Sequence, residues 1–179
     1  MTNLSSTELK RLHRTWRRET PGHLALAFDG VAGPFNVGAL LRTGAAYRAE
    51  HAWFTEHATG PENPKVGKTA LGSERFMVTK VLPTMAEIAI EARTLGYRVI
   101  GVELAAGAQP LHTMDLRGSV CFVLGHEDHG LTKTGFASVD ELGFLPQLGK
   151  IGSLNVATAG SIAMYEWARQ SWAGDDGPR

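Results

Sequence analysis

Several features that define common classes of protein are rare or absent in the sequence. Its 179 residues include one cysteine, Cys121, so no disulfide can form within the chain and no zinc site of several cysteines is possible. No apolar run approaches the roughly 20 residues that span a bilayer, and no secretory pattern stands at the N-terminus, so we expect a cytoplasmic protein with no membrane partner. The phosphate-binding pattern G-x-x-x-x-G-K-[ST] and the dinucleotide pattern G-x-G-x-x-G are both missing. Their absence argues against a kinase or a dinucleotide enzyme.

An excess of positive charge is also missing. Lysine and arginine together number 18, as do aspartate and glutamate, so net charge does not predict a nucleic-acid partner. The distribution is uneven, however, because residues 10–19 (KRLHRTWRRE) are strongly basic, with His13 and Trp16 between the cations. The cations of this stretch are Lys10, Arg11, Arg14, Arg17 and Arg18. The stretch predicts a short helix that either neutralises nucleic-acid phosphates or presents a solvated face.

The remaining composition is that of a globular protein with one domain, since 43% of residues are apolar and 20% are charged. Continuous apolar runs alternate with stretches of helical periodicity. The runs predict strands over residues 23–28, 51–55, 75–81, 97–104, 119–125 and 141–146. Helices are predicted over 36–49, 85–95 and 153–171, the second with an apolar face that includes Leu95, and a long polar loop over 56–75. This alternation predicts an α/β fold with a mostly parallel sheet flanked by helices.

Three polar motifs stand directly after predicted strands, where α/β proteins bind their ligands. The first is NVGALLRT, in which Asn36 begins a helix and Arg42 lies almost two turns further on, so we expect the two to lie close to one helical face. The second is GHEDHGL, from Gly125 to Leu131, and the third is SLNVATAGS, from Ser153 to Ser161. Each also has an ordinary structural interpretation. Asn36 and Ser153 are typical helix caps, Arg42 could be a surface residue, and Asn155 is unexpected inside a first helical turn.

The second motif also invites comparison with a metal site. It places His126, Glu127, Asp128 and His129 in sequence, but the spacing is not that of H-E-x-x-H, and no further ligand stands nearby. We therefore predict no metal.

Together and in this order, the three motifs resemble those of the SpoU/TrmH branch of the SPOUT methyltransferases, over about residues 23–170. That resemblance implies an α/β fold whose C-terminal part forms a deep trefoil knot, and a homodimer built through the knot region. It also implies S-adenosylmethionine as cofactor and a ribose 2′-hydroxyl of RNA as methyl acceptor. On this basis residues 1–22 are expected to be a basic N-terminal extension, 23–172 the methyltransferase domain and 173–179 a flexible tail.

The resemblance also implies roles for individual residues. By position, the cofactor is expected to contact Val102, Glu103, Leu104, Leu124, Gly125, His126, Gly130, Leu145, Leu148, Ser153 and Leu154. The residues expected to act on the substrate are Asn36, Arg42, Glu127, Ser153 and Asn155. The branch assigns Arg42 to removal of the 2′-hydroxyl proton, but a guanidinium is not deprotonated in proteins. We therefore expect Arg42 to bind a phosphate and stabilise the developing oxyanion.

The expected RNA is tRNA. The stretch TALGSERF, Thr69 to Phe76, is similar to a motif of the compact enzymes that methylate a D-loop guanosine, and the basic stretch would contact tRNA phosphates. The alternatives are an rRNA ribose methyltransferase, including one that confers antibiotic resistance, and a non-catalytic RNA-binding protein with the same fold.

Overall fold

The computed structural model describes residues 3–172, and the predicted tail at 173–179 lies outside this part of the chain. The described residues form one parallel sheet of seven strands in the order β3-β2-β1-β6-β4-β7-β5. The strands are β1 Leu24–Asp29, β2 Ala49–Thr55, β3 Val78–Leu82, β4 Arg98–Val102, β5 Gln109–Pro110, β6 Val120–Gly125 and β7 Glu141–Phe144. The helices are α1 Ser6–Arg18, α2 Pro34–Ala46, α3 Pro64–Ala70, α4 Met85–Thr94, α5 Lys133–Ser138 and α6 Val156–Trp172. The predicted α/β fold with a parallel sheet is thus confirmed.

The central strands β1 and β6 are buried along their whole length. On one face Leu26 and Phe28 belong to a core shared with α2 and α6, and on the other Ala25 and Ala27 pack with residues of α4. Burial on both faces explains why these strands read as continuous apolar runs rather than as alternating patterns. Cys121 lies in β6 with no exposed surface, and burial raises the pKa of its thiol.

The predicted polar loop at 56–75 is wrong in part, because it contains α3 and a short 3-10 helix at Ser73–Phe76. Helix α3 begins at Pro64 after Asn63, whose side chain accepts a hydrogen bond from the Lys65 N–H at 3.0 Å. Asn-Pro is a standard helix start, but seven residues are too few to show helical periodicity. Helix α3 packs closely on α2, since a Cβ on Gly38 would overlap the Val66 carbonyl.

Other differences are smaller. The sequence did not predict the six-residue α5 or the two-residue β5, both of which are too short to carry a periodic pattern. The sequence predicts Leu95 on the apolar face of α4, but this residue follows the last turn and is 50% exposed. None of the helices within residues 3–172 is long and apolar enough to cross a membrane.

Helix α1 forms as predicted and starts with a capping box between Ser5 and Glu8. None of its residues is buried. It is held to the body through Trp16, whose ring centroid lies 4.9 Å from that of Trp172, and through Thr20, whose hydroxyl oxygen accepts a hydrogen bond from the Trp172 indole at 2.8 Å. Because α1 leads into the start of β1, this contact lies at the amino edge of the sheet.

Candidate functional site

The candidate site is a cavity of about 470 Å³ at the carboxyl edge of the sheet, where β4, β6 and β7 end. It lies where open α/β sheets bind ligands, and its volume is in the range of small-molecule sites. The structure brings together the cofactor residues proposed from the sequence, with one exception. Val102, Glu103, Leu104, Leu124, Gly125, His126, Gly130, Leu145, Ser153 and Leu154 all line the cavity. Leu148 does not line it and is fully exposed.

The loop after β6 closes on itself through two glycines. The His126 N–H donates to the Gly130 carbonyl at 2.9 Å, and the Gly130 N–H donates to the His126 carbonyl at 2.8 Å. A Cβ on Gly125 would overlap the Gly130 backbone, and a Cβ on Gly130, which has a φ of 66°, would overlap the Glu103 carboxylate. Both positions therefore require glycine, one for close approach and one also for its left-handed backbone.

Glu127 lies in this loop and joins it to the start of α2. Its carboxylate accepts hydrogen bonds from the Ala32 N–H at 3.0 Å, the Gly33 N–H at 2.8 Å and the Asn36 side-chain amide at 2.8 Å. Burial by itself would raise the pKa of Glu127, but the hydrogen bonds from Asn36 and the backbone outweigh it and hold that pKa below the usual value. Glu127 is therefore ionised and acts as an acceptor only.

Asn36 connects Glu127 to the third motif. While its amide nitrogen donates to Glu127, its Oδ1 accepts a hydrogen bond from the Asn155 Nδ2 at 2.9 Å. The Asn155 Oδ1 in turn accepts from the N–H groups of Ala157 at 2.9 Å and Thr158 at 3.2 Å. We call Glu127, Asn36 and Asn155 the polar triad. It connects the three sequence motifs at one wall of the cavity.

This geometry corrects two cap assignments. Asn36 does not cap α2, since Gly33 occupies that position, Pro34 follows it, and Asn36 already lies in the first turn. Helix α6 begins at Val156 rather than at Ser153, and Asn155 is the residue whose side chain caps it. The unexpected position of Asn155 in a first turn thus disappears, because asparagine is among the preferred caps. Ser153 stays a cavity-lining residue outside the helix.

Of the residues predicted to act on the substrate, Arg42 lies neither at the cavity nor in the polar triad of the single chain. It is exposed on α2 and is not among the cavity-lining residues. Six residues after Asn36, it points about 120° away around the helix axis, so the expectation that the two share a face is wrong. Within residues 3–172, no hydrogen bond or ion pair involves its side chain.

The two histidines of the loop stack on each other. Their ring centroids are 4.7 Å apart, and the His126 Nδ1 accepts a hydrogen bond from the Asp128 N–H at 3.0 Å. Both histidines and Asp128 line the cavity. In the part of the chain that the structure describes, no three His, Cys, Asp or Glu side chains are placed to hold a metal ion.

The site also contains residues that the sequence motifs do not name individually. Gln147 lines the cavity, and its Oε1 is buried without a hydrogen-bond partner in the described structure. Asp29 is 1% exposed at the end of β1, and its carboxylate accepts bonds from the Thr132 N–H and hydroxyl, which fixes the chain just after the glycine loop. The other lining residues not named individually are Phe144, Gly152, Val156 and Ala159. Only Gln147 and Asp29 gave a sequence signal, as polar residues directly after strands.

Fold and cavity together define an α/β protein with a ligand site at the carboxyl edge of a parallel sheet. The model of the SpoU rRNA Methylase family matches residues 23–165, and the chain belongs to that family. The family match thus confirms the resemblance drawn from the three motifs.

Individual relatives agree with this assignment. The 23S rRNA (guanosine-2'-O-)-methyltransferase RlmB of Acinetobacter baylyi is 32% identical over 82% of this chain and 60% of its own length. The AdoMet-bound rRNA methyltransferase of Sinorhizobium meliloti is 27% identical with a TM-score of 0.76, over 86% of this chain and 59% of that one. A structure solved in work on 2-OH methylation of C/U34 on tRNA is 27% identical with a TM-score of 0.72, over 84% of this chain and 97% of that one. The chain spans about 60% of the length of the curated relatives.

Proposed function

We propose that this protein is an S-adenosylmethionine-dependent RNA methyltransferase that acts on a ribose 2′-hydroxyl. The observation that supports this best is the polar triad, which joins the three family motifs at one wall of the cavity. The AdoMet-bound neighbour and the rRNA 2′-O-methyltransferase relatives support the same reaction.

The cavity residues fit the proposed cofactor. The volume of about 470 Å³ is suited to a nucleoside-sized ligand. The buried Gln147 Oε1 lacks a donor, and a buried acceptor without a partner is costly, so an amino group of the ligand would satisfy it. Backbone of Val102–Leu104, Leu124–His126 and Ser153–Leu154 would complete the contacts. When bound, S-adenosylmethionine supplies a methyl group on a positively charged sulfur.

The protein's own residues position the substrate and stabilise charge. Ionised Glu127 fixes the orientation of the Asn36 amide, and Asn36 in turn fixes Asn155 at the start of α6. Fixed dipoles at this wall can hold a ribose hydroxyl, and positioning of this kind supplies much of the rate of a transfer reaction. Arg42 would bind the adjacent phosphate and stabilise the 2′-oxygen as its proton passes to solvent water, while remaining charged itself.

We infer that Arg42 reaches the site from a second copy of the chain. In one copy it lies outside the cavity, on the face of α2 that also carries Phe35, which is 56% exposed. Ile162 and Tyr165 of α6 are also large and exposed, at 42% and 49%. A homodimer through these helices would cover this surface and bring one copy's Arg42 to the other's cavity. We also propose that the C-terminal part of the domain forms a deep trefoil knot.

A mixing experiment tests the shared site. Arg42→Ala lacks the arginine, and Gly125→Ala places a Cβ against the Gly130 backbone beside the cavity. Each variant alone is expected to be inactive. Co-expressed in equal amounts, they should recover about a quarter of wild-type methyl transfer, because half of the dimers are mixed and one of their two sites is intact. No recovery in verified mixed dimers would show that Arg42 serves its own chain.

A labelling experiment would identify the RNA substrate. The proposed target is a tRNA D-loop guanosine, supported by the TALGSERF motif and the basic face of α1. An rRNA target is the second candidate, because the curated relatives include enzymes of 23S rRNA. The protein is incubated with labelled S-adenosylmethionine and separately with total tRNA and with rRNA, and the modified nucleotide is mapped. Label in rRNA alone would reject the tRNA assignment. Absence of cofactor binding by calorimetry would favour the non-catalytic alternative.

A further inference from the structure

A second cavity, of about 390 Å³, lies at the amino edge of the sheet between α1 and the ends of α2 and α6. Four aromatic residues and three basic residues line it. They are Trp16, Tyr47, Trp167, Trp172, His13, Arg17 and Arg48. We call this cavity the aromatic pocket. It is separate from the candidate site, because α6 runs from one to the other and its 17 residues span about 25 Å.

Trp167 is buried, whereas Trp16 and Trp172 of this pocket are fixed in place but not fully covered. The Trp172 indole N–H donates to the Thr20 hydroxyl at 2.8 Å, and its ring meets Tyr165 edge-on at a centroid distance of 6.0 Å. Trp16 packs at 51° to Trp172 and is still 44% exposed. Tryptophan in a structural core would be covered more completely than this. A rigid, partly open aromatic surface is suited to stacking a planar ligand.

The charges around the aromatic pocket are positive. No aspartate or glutamate lines it in the described structure. Arg17 makes no ion pair within residues 3–172, so its charge is available to a ligand. Arg48 has a φ of 62°, a left-handed conformation that is unfavourable for a long side chain. Burial by itself would raise the pKa of neighbouring Glu50, but its hydrogen bonds with His23 at 2.7 Å and Tyr97 at 3.1 Å, together with the charge of Arg48, hold that pKa below its usual value.

Helix α1 extends the positive surface beyond the pocket. Leu9, Leu12 and Trp16 form one stripe along it. By the spacing of 100° per residue, Arg17 lies beside this stripe and the other cations lie on the opposite side of the helix. The basic side therefore faces solvent next to the aromatic pocket. Aromatic rings beside a row of unpaired cations are the combination that binds single-stranded nucleic acid, since bases stack while phosphates are neutralised.

We propose that the aromatic pocket binds an unpaired nucleobase of the RNA substrate, with Arg17 and Arg48 on the adjoining phosphates. This proposal rests on the proposed function, because it takes the ligand to be part of the RNA that is methylated. The base bound here lies about 25 Å from the methylated ribose, the length of α6. The protein would thereby select RNA with an unpaired segment at that distance.

Two substitutions at one position separate stacking from simple helix packing. Trp16→Phe keeps an aromatic face, whereas Trp16→Leu keeps apolar contact with Trp172 and loses the face. No residue of α1 is buried, so both variants are expected to fold, which thermal unfolding checks. Binding of a single-stranded 15-nucleotide oligoadenylate is measured by fluorescence anisotropy, beside a blunt RNA duplex of equal length. The matched control is Arg14→Gln, on the basic side of α1 and not among the pocket residues.

Trp16→Leu should weaken oligoadenylate binding about tenfold, and Trp16→Phe less than about threefold, because one base-stacking contact is lost or kept. Duplex binding should change little with either. Arg14→Gln should instead weaken both RNAs and lower the salt dependence by about one phosphate contact. Equal affinity of the leucine variant and the wild type for oligoadenylate would overturn the proposal, as would an equal loss on the duplex.

Two further measurements distinguish base binding at the aromatic pocket from a contact between copies and from the methyltransferase function. If Trp16→Leu converts a dimer to a monomer in sedimentation without RNA, the pocket is a contact between copies and the proposal fails. Cofactor binding is measured for the same variants by calorimetry. Failure of cofactor binding in the wild type would refute the methyltransferase function, whereas loss of selectivity for unpaired RNA would refute only the aromatic pocket.

Discussion

Replacement of Asn155 tests the polar triad directly, because this side chain does two things at once. Its Oδ1 caps α6 by accepting from Ala157 and Thr158, and its Nδ2 donates to Asn36. Asn155→Ala removes both. The cap contributes about 1 kcal/mol, and the hydrogen bond to Asn36 contributes about 0.5 kcal/mol because the pair is exposed. The free energy of unfolding should fall by about 1.5 kcal/mol, which lowers Tm by about 3–6 °C in a chain of this size.

Asn155→Ser is the matched variant. Serine caps helices about as well as asparagine but is too short to reach Asn36. Its Tm should fall by no more than about 2 °C, while methyl transfer falls about tenfold, as in the alanine variant, because the Asn155 amide that Asn36 fixes at this wall is lost. Thermal unfolding by circular dichroism and transfer of labelled methyl groups measure the two effects. Wild-type activity in Asn155→Ser would show that Asn155 is a cap alone. Wild-type stability in Asn155→Ala would contradict the cap.

Three other predictions concern the glycine loop and the buried core. Gly125→Ala should lower stability by about 1–3 kcal/mol and weaken cofactor binding in calorimetry, because its Cβ overlaps the Gly130 backbone. Gly152→Ala should leave stability unchanged, since nothing lies within 4 Å of its Cβ, and an equal loss in both would contradict the argument. Glu127→Gln should be less stable than wild type at neutral pH. Because the pKa of Glu127 is lowered, its contribution is present above about 4.5 and is lost as the pH falls through the native pKa, so urea unfolding should show the difference shrinking in acid. Cys121 should react with a thiol reagent only after unfolding, since it is buried and its pKa is raised; rapid labelling of the native protein would be the contrary result.

The central strands could be predicted from the sequence because each is a continuous apolar run. Burial of β1 and β6 on both faces removes the polar positions that would otherwise interrupt such runs. Helices α3 and α5 could not be predicted in the same way. With seven and six residues they complete fewer than two turns, and their position depends on packing against α2 and α4.

The candidate site, too, could be predicted only in part from the sequence. The rule that ligands bind at the carboxyl ends of parallel strands was enough to place Leu124, Gly125 and Ser153 at one cavity. The same rule could not give the cap of α6 to Asn155 rather than Ser153. Which residue caps α6 depends on the path of the loop after β7 and on the hydrogen bond between Asn155 and Asn36.

By itself, the sequence determined the family, the parallel α/β fold and the presence of three polar motifs after strands, because these depend on residue types and local order. The tertiary structure decided which residues of the motifs contact one another. Residues separated by 91 and 119 positions meet as Glu127, Asn36 and Asn155 only because the strand order brings β1, β6 and β7 to one edge. It also decided that Arg42 points away from the cavity of its own chain, since the angle around a helix and the packing of α2 fix that direction.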